Sequence, residues 1–340
     1  MLAALLAPAA HADECLEQVW SGTIGTIPVT LDFSETGDSW HYRGRYHYRD
    51  NLAELYLAPD AQAGKWREYD AQGRQTGQLE LRCAGGKTLT GVWRTPAGDK
   101  QLPLSAAPGQ SDAERRIRNL KRQLSAPIAI GANSYRKVTS PGIKDFYSVT
   151  LQGDGAGIQA LNQQLQEMVA SNLGDIVECA SLGIMRDGPG HPWKNTITTG
   201  IIAWTADIVV LSREYTGYCG GAHGYGEAGG ETYAVATGKP EDLRGWFSGA
   251  WPIGSYHPGI PRRTLQELVW KEYEQINSEC QAQVSFDRAW PTAEGVVFHP
   301  SANAYIDRPC EEDVLIKWQA LAPFLSATGT QRMNGLRGPK

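Results

Sequence analysis

Residues 40–48, WHYRGRYHY, carry the clearest secondary-structure signal in this chain. Successive side chains of a β-strand point to opposite faces, so the alternation of aromatic and basic residues predicts a strand with one aromatic and one basic face. A basic face of this kind could hold an acidic glycan, although a solvated outer sheet face is the commoner arrangement. The basic residues, all on one parity, are His41, Arg43, Arg45 and His47.

Similar short segments lie on both sides of this strand. Glycine-containing turns separate them at short spacing, a pattern typical of a small antiparallel β barrel or sandwich. We therefore predict an antiparallel β domain over residues 13–95. The other strand candidates are residues 26–33, 52–57, 65–69, 75–82 and 88–94.

The second half mixes helices and strands without regular alternation, which favours an α+β fold over a doubly wound sheet. Prolines and small residues predict a linker and a short helix over 96–124. A mixed α+β domain is then expected over 125–325, followed by a disordered tail at 326–340. The predicted helices are 158–173 and 264–280, and the strand candidates are 147–151, 197–212, 296–299 and 314–318.

Export is indicated by the N-terminus. Residues 2–10 are apolar, and Ala10-His11-Ala12 has the small-x-small pattern that signal peptidases cleave. Residues 1–12 are therefore interpreted as the remnant of a signal peptide, and the protein as periplasmic or secreted.

The six cysteines that follow favour disulfides over metal or redox chemistry, because their number is even and an export signal precedes them. Two of them lie in the N-terminal half and are expected to pair. The other four allow three connectivities, and the sequence does not choose among them. Our preferred pairs are Cys15–Cys83, Cys179–Cys219 and Cys280–Cys310.

Composition narrows the partner classes. The formal net charge of −5 argues against nucleic acid and anionic lipid, and favours a basic partner. The chain has 11 Trp and 14 Tyr against 6 Phe, and such amphipathic aromatic residues suit strands and binding surfaces. No stretch after the N-terminal run reaches the roughly 18 consecutive apolar residues of a transmembrane helix, so none is predicted.

The sharpest local motif is YTGYCGGAHGYG at residues 215–226. Its glycines permit positive φ and close backbone approach, while its tyrosines and histidine offer hydrogen-bonding groups. We therefore predict a ligand-binding loop in which His223 is an anchor or a proton carrier. A tight architectural crossover between strands is the alternative. The predicted binding residues are Tyr215, Tyr218, Gly220, Gly221, His223 and Tyr225.

Catalytic chemistry is not indicated: no catalytic residue, metal or cofactor is predicted. Cys219 beside His223 would suit nucleophilic catalysis, but a disulfide removes the thiol. A metal site assembled from His191, His223 and His257 is an alternative that no ligand spacing supports. The acidic residues expected to be solvated rather than catalytic are Glu227, Glu231 and Glu294.

From residue 125 to residue 325 the chain resembles the RsiV-like extracytoplasmic domains. Residues 15–95, with Trp20-x-Gly22, Gly44-x-Tyr46-x-Tyr48 and Gly91-x-Trp93, look like the small β domain that often precedes such domains in envelope proteins. The motifs that carry the main resemblance, in order, are the glycine-rich loop at 215–226, Thr237-Gly238-Lys239, Leu243 with Trp246-Phe247, the helix at 264–280, PTAEGVVF at 291–298 and VLIKW at 314–318.

This resemblance implies binding more than catalysis. Members of the family include lysozyme-sensing anti-sigma factor ectodomains, and related domains accompany peptidoglycan deacetylases. The expected function is therefore an exported, non-catalytic binding protein that recognises a lysozyme-like protein or the peptidoglycan glycan. An envelope polysaccharide hydrolase or deacetylase, and a structural envelope protein, are the alternatives.

Overall fold

The structure is a computed structural model that describes residues 16–34, 37, 39–49, 51, 53–111, 113–249, 251, 254–255 and 263–337. The predicted signal remnant and Cys15 lie outside these residues. The fold is mixed α+β, with a closed barrel of eight strands, a seven-stranded sheet and a four-stranded sheet.

The chain divides into two compact units. Unit 1 contains the residues up to Lys121 together with Ala170–Asn195 and Gly217–Tyr225. Unit 2 contains Arg122–Val169, Thr196–Thr216 and the residues from Gly226 onward. Neither unit is continuous in sequence, whereas our predicted domains follow one another along the chain.

The first half of the chain forms the barrel, one of the two architectures predicted for it. Each strand pairs with the next in antiparallel fashion, and β1 also pairs with β8, so the sheet has no open edge. The strands are β1 Val19–Ile24, β2 Ile27–Asp32, β3 Gly44–Tyr48, β4 Leu55–Pro59, β5 Lys65–Tyr69, β6 Gln75–Ala84, β7 Thr88–Arg94 and β8 Gln101–Pro108.

β3 begins at Gly44, four residues later than the predicted strand at 40–48. Its pairing with β2 and β4 directs Gly44, Tyr46 and Tyr48 into the barrel, as the alternation predicts. Glycine is required at the first of these positions because a Cβ there would meet the ring of Phe33.

β8 corrects the prediction of a linker over 96–124. It pairs with β7 and β1, and it buries Leu104 and Ala106 in the barrel core. Prolines are rare inside sheets because they lack a backbone N–H. Because of Pro103 and Pro108, this segment was predicted as a linker despite the apolar alternation of a strand.

The second half contains the other two sheets. The seven-stranded sheet has the order β10-β11-β12-β13-β14-β15, with β9 beside β11, and its β12–β13 pair is parallel. The strands of both sheets are β9 Gln123–Leu124, β10 Ile128–Ile130, β11 Asn133–Ser140, β12 Ile143–Leu151, β13 Lys194–Trp204, β14 Ile208–Tyr218, β15 Tyr225–Ala234, β16 Gly254–Ser255, β17 Val284–Pro291, β18 Gly295–Ala302 and β19 Val314–Lys317.

The helices differ from prediction mainly in their extent. A stripe at 158–173 predicted the start of the second helix, but this helix continues to Asp187 and passes from unit 2 into unit 1. The fourth helix, Trp318–Leu321, begins at the residue that ends the predicted last strand. The helices are α1 Ala113–Arg118, α2 Ala156–Asp187, α3 Leu265–Ile276, α4 Trp318–Leu321 and α5 Ala327–Arg337.

By length and composition alone, α2 could cross a membrane. One window of it has a mean hydropathy of 1.2, and half of that window is buried inside the protein. Buried core helices of soluble proteins have the same composition. The absence of a transmembrane segment therefore stays a prediction.

α5 corrects the prediction of a disordered tail at 326–340. Arg332 forms ion pairs with Asp207 at 2.9 Å and Glu241 at 3.1 Å, and Leu336 is buried. The sequence of this helix is polar, with few apolar residues to reveal it. Tertiary contacts rather than local hydrophobicity hold it in place.

The two preferred cysteine pairs of the second half are present in the structure, as bonds between Cys179 and Cys219 and between Cys280 and Cys310. Such bonds are consistent with an extracytoplasmic location, since the cytosol keeps thiols reduced.

Candidate binding loop

The predicted loop lies where β14 turns into β15. Its segment Gly217–Tyr225 belongs to unit 1 and contains five of the six predicted binding residues, whereas Tyr215 belongs to unit 2. We call residues 219–224, which connect the two strands, the tip. The structure therefore groups most of the predicted residues in one segment but places Tyr215 apart from them.

A disulfide and two tyrosines hold the tip. Cys219 is bonded to Cys179 in the last part of α2, and its sulfur lies 3.1 Å from the hydroxyl of Tyr225. The hydroxyl of Tyr218 donates a hydrogen bond of 3.0 Å to the carbonyl of Gly221. The backbone of the tip is thus fixed at its base and across its turn.

Gly220 packs against an aromatic ring that sequence reasoning did not associate with the loop. A Cβ at Gly220 would lie 2.6 Å from the indole of Trp193, and the φ of this glycine is +95°. The same indole contacts the ring of Tyr218 edge-on, with ring centres 5.5 Å apart, and its N–H donates a hydrogen bond of 2.6 Å to the carboxylate of Asp187. The glycine is therefore needed for packing as well as for backbone conformation.

The outer part of the tip is exposed. Gly221, Ala222, His223 and Gly224 all face solvent, and Nδ1 of His223 donates 3.1 Å to the carbonyl of Gly224. This bond orients the imidazole along the turn. The tip therefore presents a small, largely uncharged surface of backbone groups, one imidazole and the half-exposed ring of Tyr218.

The hydroxyl of Tyr225 stays protonated at neutral pH. Burial, and to a lesser extent the charge of Asp175, raise the pKa of this tyrosine. A protonated hydroxyl can both donate and accept a hydrogen bond beside the disulfide.

Tyr215 has a different role in unit 2. Its hydroxyl accepts a hydrogen bond from Arg213, whose guanidinium also lies over the ring, 5.3 Å from its centre. Arg213 in turn pairs with Glu231 at 2.8 Å, and Glu231 accepts 2.7 Å from Tyr233. Desolvation lowers the pKa of Arg213, but the hydrogen bond and charge of Glu231 outweigh it and the net shift is upward.

Glu227 and Glu231 stay solvent-accessible, as expected, with 56% and 41% of their side chains exposed, although each also forms an ion pair. Glu231 pairs with Arg213, and Glu227 pairs with Arg288. Glu294 is exposed in the turn before β18, as predicted.

The histidines and cysteines do not form a metal centre in the part of the chain that the structure describes, since no group of three or more possible ligands comes together there. The hypothetical site of His191, His223 and His257 includes a residue outside that part. Cys219 is bonded, so the nucleophilic pair with His223 is excluded by the structure.

The basic face predicted for residues 40–48 is solvated only in part, since His41 is exposed and Arg43 partly exposed. Arg45 and His47 point away from the barrel interior but are 8% and 5% exposed. Arg45 pairs with Glu178 at 2.8 Å and donates 2.8 Å to Ser181, both on α2. Desolvation opposes the charge of Arg45, yet Glu54, Glu178 and Asp32 raise its pKa overall. The guanidinium is therefore neutralised inside unit 1 and is not available to an acidic glycan.

Comparison with known proteins gives few relatives. No protein-family model matches the chain, and no curated protein matches it. Two solved structures of DUF3298 family proteins, a domain family of unknown function, are similar. The protein from Bacteroides fragilis is 11% identical, with 62% of this chain and 94% of that chain covered and a TM-score of 0.39. The protein from Pseudomonas aeruginosa is 17% identical, with 61% and 95% covered and a TM-score of 0.31.

Proposed function

We propose that this chain is an exported, non-catalytic binding protein of the cell envelope, and that the tip at 219–224 recognises a lysozyme-like protein. The observation that carries the proposal is an exposed turn whose base is fixed by the Cys179–Cys219 bond and by packing on Trp193. A loop ordered before binding loses little conformational entropy on association, which favours affinity.

The composition of the tip supports a protein partner. The tip is rich in glycine and is flanked by Tyr218 and Tyr225, and antibody binding loops are likewise enriched in tyrosine and glycine. The net charge of −5 favours encounter with a basic protein, mainly through the association rate. The RsiV-like resemblance, with its lysozyme-sensing members, points to the same partner class.

The test is calorimetric titration of the oxidised chain with a c-type lysozyme at moderate salt. We expect saturable micromolar-or-tighter binding, weakened about tenfold or more by His223→Ala, which corresponds to the loss of about 1.4 kcal/mol. His191→Ala, the same substitution at an exposed histidine outside the tip, is the matched control and should leave the affinity unchanged.

No heat with lysozyme would overturn the proposal, as would equal effects of the two histidine variants. A parallel titration with soluble peptidoglycan fragments separates the partner classes. Binding of the fragments, but not of lysozyme, would replace the protein partner by the glycan.

A further inference from the structure

The two ends of the barrel differ in how far their inward-facing apolar side chains are exposed, a difference that plays no part in the proposed function. At one end, the strand register directs five large apolar side chains inward, yet each of them is partly exposed, and Ile27 is 40% exposed. We call this end the mouth. Its inward-facing side chains are Ile27, Tyr48, Leu55, Trp93 and Leu102.

The opposite end is more densely covered. Most of its inward-facing side chains are buried, although Pro59 is exposed and Cys83 partly exposed. Leu16, in the segment before β1, is also buried, and its carbonyl accepts a hydrogen bond of 3.2 Å from the indole of Trp20. Eight-stranded barrels have an interior just wide enough for packed side chains or one small ligand.

A carboxylate lies beneath the mouth. Glu68 faces the interior, paired in register with Gly77, and is 2% exposed. It accepts hydrogen bonds from the hydroxyl of Tyr46, from Thr76 at 2.7 Å and from the indole of Trp93 at 2.6 Å. All three donors are neutral, and no described Lys, Arg or His forms an ion pair with Glu68.

A buried carboxylate without a cationic partner is unusual, because buried charges are normally paired. The neighbouring tyrosines do not supply charge. Burial, followed by the charge of Glu68, raises the pKa of Tyr46, and burial also raises the pKa of Tyr48. Both hydroxyls are therefore neutral at physiological pH.

One acceptor position on this carboxylate is open. Oε2 accepts from Tyr46 and Trp93, whereas Oε1 accepts only from Thr76, and each oxygen has two lone pairs. A Cβ at Gly77 would lie 2.5 Å from Nε1 of Trp93 and 3.0 Å from Oε1. Glycine at this position thus lets the indole approach the carboxylate.

We propose that the mouth of the barrel binds a small organic ammonium ion. The ammonium group donates to Oε1 of Glu68 and supplies the missing positive charge. The apolar part of the ligand lies against the rings of Tyr48 and Trp93, which attract cations through their π faces and bury hydrocarbon through their area.

The test is calorimetric titration of the full chain with benzylamine and with its neutral isostere, benzyl alcohol. We expect benzylamine to bind with a dissociation constant at least about tenfold lower. Glu68→Gln should abolish this preference. Glu80→Gln, the same change at an acidic residue that pairs with Arg82 and Arg94 outside the barrel, should preserve it.

Equal affinity for the two ligands, no binding of benzylamine, or an unchanged preference in Glu68→Gln would each overturn the proposal. Because Glu68→Gln alters a buried network, Ile27→Lys provides a second variant at an exposed rim position. The lysine ammonium should compete for the mouth and weaken benzylamine binding. Normal binding in a folded Ile27→Lys protein would also contradict the proposal.

Discussion

Gly220 and Gly221 are neighbours with nearly the same backbone conformation but different surroundings. Their φ values are +95° and +94°, but a Cβ at Gly220 would collide with Trp193, whereas a Cβ at Gly221 would meet nothing within 4 Å. Substitutions at the two positions can therefore distinguish the cost of backbone strain, expected at both, from the cost of a steric clash, expected only at Gly220.

We expect Gly221→Ala to lower the free energy of unfolding by about 1–2 kcal/mol, the cost of holding an L-residue in the left-handed region. Gly220→Ala should cost clearly more, because the Trp193 indole must also move. Denaturant unfolding of both variants measures the difference. Equal losses would show that Trp193 yields without cost.

For this pair of glycines the sequence predicted the backbone conformation but not the packing contact. Clustered glycines indicated positive φ, and the structure has it at both positions. The contact with Trp193 could not be predicted, because a ring 27 residues earlier in the chain leaves no trace in the local pattern.

At the scale of elements, a buried ionic cluster joins β3 to the second half of α2. Arg45 contacts Glu178 and Ser181 on the helix, and Glu54, whose side chain is 8% exposed, also pairs with the buried Arg116 of α1. Breaking a buried ion pair by removing one partner leaves an uncompensated charge. The cluster is therefore sensitive to single substitutions.

Arg45→Met should lower the free energy of unfolding by about 1.5–3 kcal/mol, because the buried Glu54 would lose one of its two guanidinium partners and the partly exposed Glu178 would lose its partner. Arg67→Met is the control: Arg67 pairs with Asp60 at 3.3 Å, but 47% of its side chain is exposed. This pair should contribute less than about 1 kcal/mol. A loss for Arg45→Met no larger than the control would mean that water reaches the cluster.

The alternation in residues 40–48 predicted which side chains face the same way, but not what covers each face. Arg45 and His47 share the outer side of β3, where a basic surface was expected. For Arg45 the cover comes from α2, more than 130 positions later in the sequence. Local periodicity predicts which side chains share a face of the strand. It does not predict which element packs against that face.

At the scale of the whole molecule, the barrel unit is not a continuous segment. Its residues up to Lys121 are completed by Ala170–Asn195 and Gly217–Tyr225. The helical part supplies Ile184 and Met185, which pack with Tyr42 and Tyr56 on the outside of the barrel. It also supplies the partners of Arg45.

We expect a fragment of residues 13–121 to lack a cooperative unfolding transition, or to melt well below unit 1 of the full chain, because an apolar surface and a charged side chain would lose their cover. Near-ultraviolet circular dichroism followed during heating measures this for both proteins. A fragment that unfolds cooperatively at the melting temperature of unit 1 in the full chain would show that residues 13–121 fold stably on their own.

The sequence by itself determined the α+β class, most of the strands and the start of α2 and α3. These follow from periodicity and capping, which act over a few residues. For the four cysteines of the second half the sequence left three connectivities open, and the structure selects the preferred two pairs. Tertiary structure alone decided that 101–108 closes the barrel, that α5 is ordered, that Arg45 is buried and that Glu68 lies inside the barrel without an ion pair to any described cation. Each of these depends on contacts between residues far apart in sequence, whose free energy exists only once the chain has folded.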